Sequence, residues 1–305
     1  VDGLCRTQLS VWYSSGLGPQ STGLTLVILV IVCAIYTFSV YFGMKGVQLS
    51  AATCTWLFFG LLAYVFFFGG QTRFIIEEGI TALGNLTQNF IGLATWTDSL
   101  RTSSFPQTWT IFYWAYWMVW CVAVPFFIGS ISKGRTLRQV ILGGYVFGLS
   151  GTFTSFIIMG NYGLGLQMHG KLDVLSSYAA DGNLYHAILD ILGQLPLSKA
   201  VLVLLVLCMI TFYSTSFDSI TMVASTYTYK KLQSDEEPHR NVKLFWAIFL
   251  ILLPLALIFS ENSMSNLQTV SIIAAFPVGI IMLLIISSFF KDADAYLKEQ
   301  ANPPE

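Results

Sequence analysis

Residues 46–72 read GVQLSAATCTWLFFGLLAYVFFFGGQT and carry no charge. A helix needs about 20 predominantly apolar residues to cross the hydrocarbon core of a bilayer, and this run exceeds that length. The interval before it, residues 7–44, is equally free of charge. Working outward, seven runs qualify as spans: 22–44, 50–70, 107–131, 140–161, 198–227, 244–260 and 266–290. In lipid every backbone polar group must be satisfied internally, so such runs are helices. The whole chain agrees, with 305 residues of which 55% are hydrophobic and 10% charged. Soluble domains carry about 25% charged residues. An all-α, polytopic membrane protein with about seven transmembrane helices is expected.

The same counts exclude several function classes. With 15 Lys and Arg against 16 Asp and Glu, the chain has no basic stripe for nucleic acid. Cys33, Cys54, Cys121 and Cys208 lie inside apolar runs without CxxC spacing, and His169, His186 and His239 lie far apart, so neither a disulfide framework nor a metal triad is expected. Gly165, Gly170 and Lys171 satisfy GxxxxGK, but Leu172 stands where a phosphate loop needs Ser or Thr. The sequon at Asn85, Leu86 and Thr87 is a short chance pattern. No pairing of nucleophile and base suggests an enzyme, and no cofactor is expected beyond a coupling ion. The opening residues 1–21 lack an initiator Met and signal-peptide order. A preceding N-terminal part is therefore expected.

Between the second and third spans, Ile76, Ile80, Leu83, Leu86, Phe90 and Leu93 recur at spacings of three and four, which predicts an amphipathic helix in the membrane interface over 72–101. The connection 161–197 holds a shorter one at 183–192, with Leu184, Ile188 and Ile191 on one face. Alternate loops carry ten Lys and Arg against five, and the positive-inside rule puts the richer set, which includes Lys45, Lys133, Arg138, Lys230 and Lys291, in the cytoplasm together with the C-terminus. Pro125, Pro254 and Pro277 fall inside spans and are expected to kink them. Gly144 and Gly148 form a GxxxG, expected to mark close helix packing within the chain.

Two constellations could carry chemistry. Residues 108–121 read TWTIFYWAYWMVWC. At 100° per residue, Trp109, Tyr113, Tyr116, Trp117 and Trp120 fall within an arc of roughly 100°, and Trp114 points elsewhere. An aromatic belt would explain Trp109 near the span's end, but Trp117 and Trp120 lie about 12–17 Å further in. A wall of ring faces without a nearby carboxylate suits a quaternary ammonium group, which cannot donate a hydrogen bond and is held by cation–π attraction. The second constellation is residues 211–219, TFYSTSFDS, where Thr211, Thr215 and Ser219 line one helix face and Ser216 adjoins it. Their oxygens could bind Na⁺, although Ser and Thr in apolar helices also simply bond back to the preceding turn. Asp218 is the acid within a span, with helix packing, gating and proton carriage as its open roles.

The run WTIFYWAYW at 109–117, SKGRTLRQ at 132–139, TFYSTSFDS at 211–219, SNLQTVSIIAAFP at 265–277 and FFKDA at 289–293 together resemble the betaine/choline/carnitine transporter family. The resemblance implies part of a LeuT-type inverted-repeat helical fold, with substrate at the midplane where the repeats meet. The chain would then comprise 1–105, the last two helices of the first repeat with the outer amphipathic helix; 106–290, the second five-helix repeat; and 291–305, a cytoplasmic tail. The family's substrate box falls on Tyr116, Trp117 and Trp120 with Phe112 beside them, and the family usually has Trp where this chain has Tyr116. Its sodium site falls on the Phe212 carbonyl and the Thr215 and Ser216 hydroxyls, a pair that sodium-independent carnitine exchangers lack. The implied function is import of a betaine-, choline- or carnitine-type compound by Na⁺ symport across a bacterial inner membrane, with lipid as surroundings and a homotrimer as the family's assembly. The alternatives are Na⁺-independent exchange of carnitine-like substrates and a seven-span receptor. A retinal protein is excluded, since the one Lys within these bounds, Lys199, stands at the very edge of its span and none lies deeper.

Overall fold

The computed structural model describes residues 22–103, 105–121, 124–179, 184–230, 237–258 and 263–301. The expectations for residues 1–21, and for the side chains of Thr108, Leu184 and Pro254, lie outside the described residues. Among the described residues all regular structure is helical. The helices are α1 (Thr22–Tyr41), α2 (Met44–Phe68), α3 (Thr72–Gln88), α4 (Phe90–Thr95), α5 (Ile111–Trp120), α6 (Val124–Ile131), α7 (Leu137–Ser155), α8 (Asn161–Met168), α9 (Val174–Ala179), α10 (Leu184–Gly193), α11 (Ser198–Tyr227), α12 (Arg240–Ile258) and α13 (Ser263–Ala301). Four helical stretches among them, Met44–Phe68, Leu137–Met168, Ser198–Tyr227 and Thr269–Lys298, are long and apolar enough to cross a bilayer. The described residues fall into two units, those within 1–93 and 132–260 and those within 94–131 and 261–305.

In the first unit α11 packs on α1 and α2, and α12 packs on α1 and α11. One core joins Leu61 and Val65 of α2, Ile75 of α3, Tyr162 and Leu166 of α8, Leu189 and Leu192 of α10, and Val201, Leu202 and Cys208 of α11. The face that α10 turns inward is thus Leu189 and Leu192, while Ile188 and Ile191 are half-buried against the same core. A second core joins Val32 and Tyr36 of α1 to Ala247 and Ile251 of α12, and the Tyr36 hydroxyl donates to the Ala247 carbonyl. Between lipid-surrounded helices tails are as apolar as Leu, so these contacts hold by close packing and hydrogen bonds.

The turn from α1 to α2 is built tightly. Gly43 sits at φ +70°, and a methyl on Gly46 would come 2.0 Å from the Ser39 carbonyl oxygen. The Glu237 carboxylate, from the approach to α12, accepts from the Met44 N–H at 3.1 Å and from the buried Lys243 ammonium at 3.0 Å. It therefore caps the positive N-terminal end of α2. Burial works to raise the Glu237 carboxyl, but those two donors outweigh it and hold the group below the ordinary carboxylate range.

The fourth span is longer than 140–161. It runs from a capping box, in which Thr136 and Gln139 bond each other's backbone, through a π-helical turn at Phe156–Gly160 to Met168. Its GxxxG does not pack as expected, because a methyl added at Gly144 or Gly148 would meet no atom within 4 Å. The reason is placement: α7 has no buried residue, and Tyr145, Phe147 and Leu149 stand exposed along it. The amphipathic prediction holds over α3 and α4, interrupted at Asn89, with Ile76, Ile80, Phe90 and Leu93 exposed on the outer side. Apolar side chains presented outward in such number fit a lipid surround rather than water.

In the second unit the expected span 107–131 is not one helix. It opens with a π-helical turn, Pro106–Thr110, in which the Ile111 N–H reaches the Pro106 carbonyl, and α5 then ends at Trp120. Pro125 is the second described residue of α6, and the kink expected there depends on residues 122 and 123, which lie outside the described residues. α13 packs along α5, and Gly279 lets it approach until an added methyl would lie 2.7 Å from the Met118 terminal carbon. Pro277 lies inside α13 as expected.

Candidate functional site

The aromatic set lies on α5 in the second unit. Tyr116 is its hub, with ring centroids 5.8 Å from Phe112, 6.1 Å from Trp117 and 6.0 Å from Trp120. Phe112 continues to Tyr113 at 5.7 Å, and Tyr113 stacks on Trp109 at 6.1 Å. All four expected box residues therefore belong to one connected group of rings. The crossings of Tyr116 with Trp117 and Trp120 are edge-on, which leaves ring faces open rather than stacked away. Trp117 is 60% and Tyr116 36% exposed within the chain, while Phe112 and Trp120 are half-buried. Trp114, predicted to point elsewhere, is 69% exposed. α5 carries no charged residue, so a cation beside it meets ring faces and no carboxylate of that helix.

The oxygen set lies on α11 in the first unit. The Thr215 hydroxyl donates to the Phe212 carbonyl at 2.9 Å and the Ser216 hydroxyl to the same carbonyl at 3.2 Å. The three expected oxygens thus converge on one point of the helix, each hydroxyl keeping lone pairs to offer. Phe212 is steadied by Phe58 of α2, ring edge to face at 5.2 Å. Back-bonding is also the general habit of this helix, since Thr211 bonds to Leu207 and Cys208 and Ser219 bonds to Thr215.

Asp218 is fully buried, and its Oδ2 accepts from the Ser39 hydroxyl of α1 at 2.8 Å. Sequence reading missed Ser39, and it missed that Ser214, Thr221 and Ser225 share the buried face with Asp218. Their spacing at i−4, i+3 and i+7 from Asp218 was the available signal. Gly165 and Gly170 have other employment than phosphate. Gly165 packs against Phe74 and Gln71, and Gly170, at φ +65°, ends α8 as the Lys171 N–H bonds back to the Leu166 carbonyl.

Comparison with known proteins bears on what these groups serve. The family model described as BCCT, betaine/carnitine/choline family transporter, matches residues 3–298. The chain belongs to the betaine/carnitine/choline transporter family. It is 30% identical over 270 residues to a carnitine transporter of Acinetobacter baumannii, covering 88% of this chain and 48% of that protein. It is 30% identical over 294 residues to a probable glycine betaine transporter of Desulfitobacterium hafniense, covering 95% of this chain and 57% of the relative. An osmo-dependent choline transporter of Acinetobacter baylyi is 27% identical over 281 residues, 90% of this chain and 40% of its own length. The chain thus spans about half the length of the curated relatives it matches. The family is one of membrane transporters, and membership in it sets aside the seven-span receptor.

Proposed function

We propose that this chain is part of a secondary transporter that imports a small quaternary ammonium compound together with Na⁺ by alternating access. In this reading the membrane is a bacterial cytoplasmic membrane and the C-terminus faces inward. The observation that carries the substrate class is the ring group centred on Tyr116, on a helix without charge. Each desolvated ring face over an ammonium contributes about 0.5–2 kcal/mol, so two or three rings support micromolar to millimolar binding once tail contacts add to them. The relatives named for carnitine, glycine betaine and choline share that ammonium head and differ in the tail, which is where discrimination among them belongs.

Coupling is assigned to the Phe212 carbonyl with the Thr215 and Ser216 hydroxyls, supported by their convergence on α11. A hard monovalent cation prefers such oxygens. The rival is Na⁺-independent exchange, favoured by the fact that the same hydroxyl bonds are also how Ser and Thr satisfy themselves in any apolar helix. The complete protein in proteoliposomes separates the two. Inward Na⁺ gradients should drive accumulation of labelled betaine, choline or carnitine, and replacing Na⁺ with K⁺ should abolish it. Equal uptake in both salts, dependent on a preloaded counter-substrate, establishes exchange instead.

A further inference from the structure

Ser50, Cys54 and Phe58 of α2 follow at i, i+4 and i+8, so they lie along one face of that helix. The face runs antiparallel to α11. Ser50 stands beside the Asp218 carboxyl, Cys54 stands beside the Thr215 and Thr211 hydroxyls, and the Phe58 ring meets the Phe212 ring at 5.2 Å. Cys54 is 4% exposed. Its neighbours Thr53 and Thr55 bond back to the Leu49 and Ala51 carbonyls of their own helix and stand exposed. The Cys54 thiol instead lies against hydroxyls of another helix, one of which belongs to the candidate ion oxygens.

The hydrogens around that thiol can be followed one by one. Thr211 donates its own to the Leu207 and Cys208 carbonyls, at 3.0 and 2.9 Å, and Thr215 donates its own to the Phe212 carbonyl at 2.9 Å. A hydroxyl has one hydrogen and two lone pairs, so toward Cys54 both threonines accept, and the hydrogen between the helices is the thiol's. Sulfur is soft and its S–H a weak donor, which makes Cys54 a poor ligand for Na⁺ but a usable guide for an oxygen. With the Thr215 hydrogen held by the Phe212 carbonyl and one lone pair held from the α2 side, the direction of the remaining lone pair is fixed. We infer that Cys54 is a positioning residue for the coupling-ion oxygens, orienting the Thr215 hydroxyl from α2 while Phe58 braces Phe212, whose carbonyl is the third oxygen. This rests on the reading of Thr215 and Ser216 as ion ligands and adds a second helix to it. The oxygens all belong to α11, and α2 sets their geometry.

The test uses the complete protein in proteoliposomes, with uptake of labelled betaine, choline or carnitine measured against Na⁺ concentration. Cys54→Ala removes the donor and should raise half-saturating Na⁺ about two- to fivefold, the order of one lost hydrogen bond, and Cys54→Val, which also sets a methyl against Thr215, about tenfold. Cys54→Ser restores a donor and should stay within about twofold of the parent. Substrate affinity at saturating Na⁺ should change little in all three. Cys208→Ala deletes an equally buried thiol from the α11 core and should lower stability without moving half-saturation. A second readout is infrared: in Na⁺-minus-K⁺ difference spectra the S–H stretching band of Cys54 should move to higher frequency, because an oxygen that gives a lone pair to a cation is a poorer acceptor. That difference band should vanish in Cys54→Ser and in Thr215→Val. If Cys54→Val does not fold, Cys54→Ala and the infrared band carry the test. Half-saturation unchanged in Cys54→Ala and Cys54→Val overturns the inference, as does an equal rise in the Ser, Ala and Val variants without a Na⁺-sensitive S–H band, which marks packing alone. In both cases a rise in Thr215→Val leaves the ion assignment standing. Parent uptake that is equal in Na⁺ and K⁺ overturns the two together.

Discussion

Replacing Tyr116 with Leu should do more damage to substrate binding than any other single change on α5. Leu keeps the helix apolar and approximately fills the volume, but it removes one ring face and the hub on which three rings rest, at 5.8, 6.0 and 6.1 Å. Losing one cation–π contact in a desolvated site costs about 1–2 kcal/mol, or roughly five- to thirty-fold in Kd. Each ring–ring contact contributes about a further 0.5–1.5 kcal/mol, part of which reappears as looser placement of Phe112, Trp117 and Trp120. Tyr116→Leu should therefore weaken binding by at least the upper end of that range, and Trp117→Leu by the lower end. Tyr116→Phe keeps the ring and should stay close to the parent, as should Trp114→Leu, whose ring lies on another face and is 69% exposed. Binding of labelled betaine, choline or carnitine to the complete purified protein measures this series. Equal losses at Trp114 and Tyr116, or full retention in Tyr116→Leu, would refute the ring-face reasoning.

Three further outcomes are expected. Thr215→Val and Ser216→Ala should raise the Na⁺ concentration for half-maximal uptake and leave substrate affinity at saturating Na⁺ largely intact, because linkage between ion and substrate is reciprocal; lower folded yield with unchanged Na⁺ dependence would mark these hydroxyls as structural. Gly46→Ala drives a methyl to 2.0 Å from the Ser39 carbonyl oxygen and should lower stability, whereas Gly60→Ala, with nothing within 4 Å, should be neutral or better. By the usual cost of overpacking the first change loses about 1–3 kcal/mol, read as a drop in melting midpoint. The Asp98 carboxyl is held down at about 2 by the Ser103 N–H, with burial opposing and the Thr102 N–H and both hydroxyls assisting. A depressed acid stabilises above its ordinary pKa of about 3.9 and loses that contribution as pH falls through its folded value. Amide exchange in the turn at 98–103 should therefore be faster in Asp98→Asn than in the parent by the same factor at pH 5 and pH 8; a difference that grows between those two values contradicts this.

The apolar runs made the helices legible, because lipid leaves the backbone no other way to satisfy itself. What they could not show was where α5 ends, since its last residue, Trp120, lies inside a run without charge. The π-helical turns at Pro106–Thr110 and Phe156–Gly160 were equally hidden, as one residue added to a turn leaves an apolar pattern apolar. The box and ion oxygens came from periodicity and family resemblance, and α5 and α11 each group their own set. The unpartnered state of Ser214 and Thr221 could not be read, because the same residues at the same spacing usually bond back to the helix. The Glu237 cap on α2 joins residues nearly two hundred positions apart, beyond the reach of any local pattern.

The central claim, that ring faces select a quaternary ammonium group for its charge and not merely its bulk, is tested most directly by a neutral isostere. For whichever of betaine, choline or carnitine binds the complete protein, the analogue with a tert-butyl group in place of trimethylammonium has nearly the same shape and no positive charge. The account predicts that the isostere competes at least about tenfold more weakly than the parent compound, the equivalent of roughly 1.4 kcal/mol or more of cation–π attraction. It also predicts that Tyr116→Leu narrows that gap. Competition of equal strength by the two compounds would contradict it.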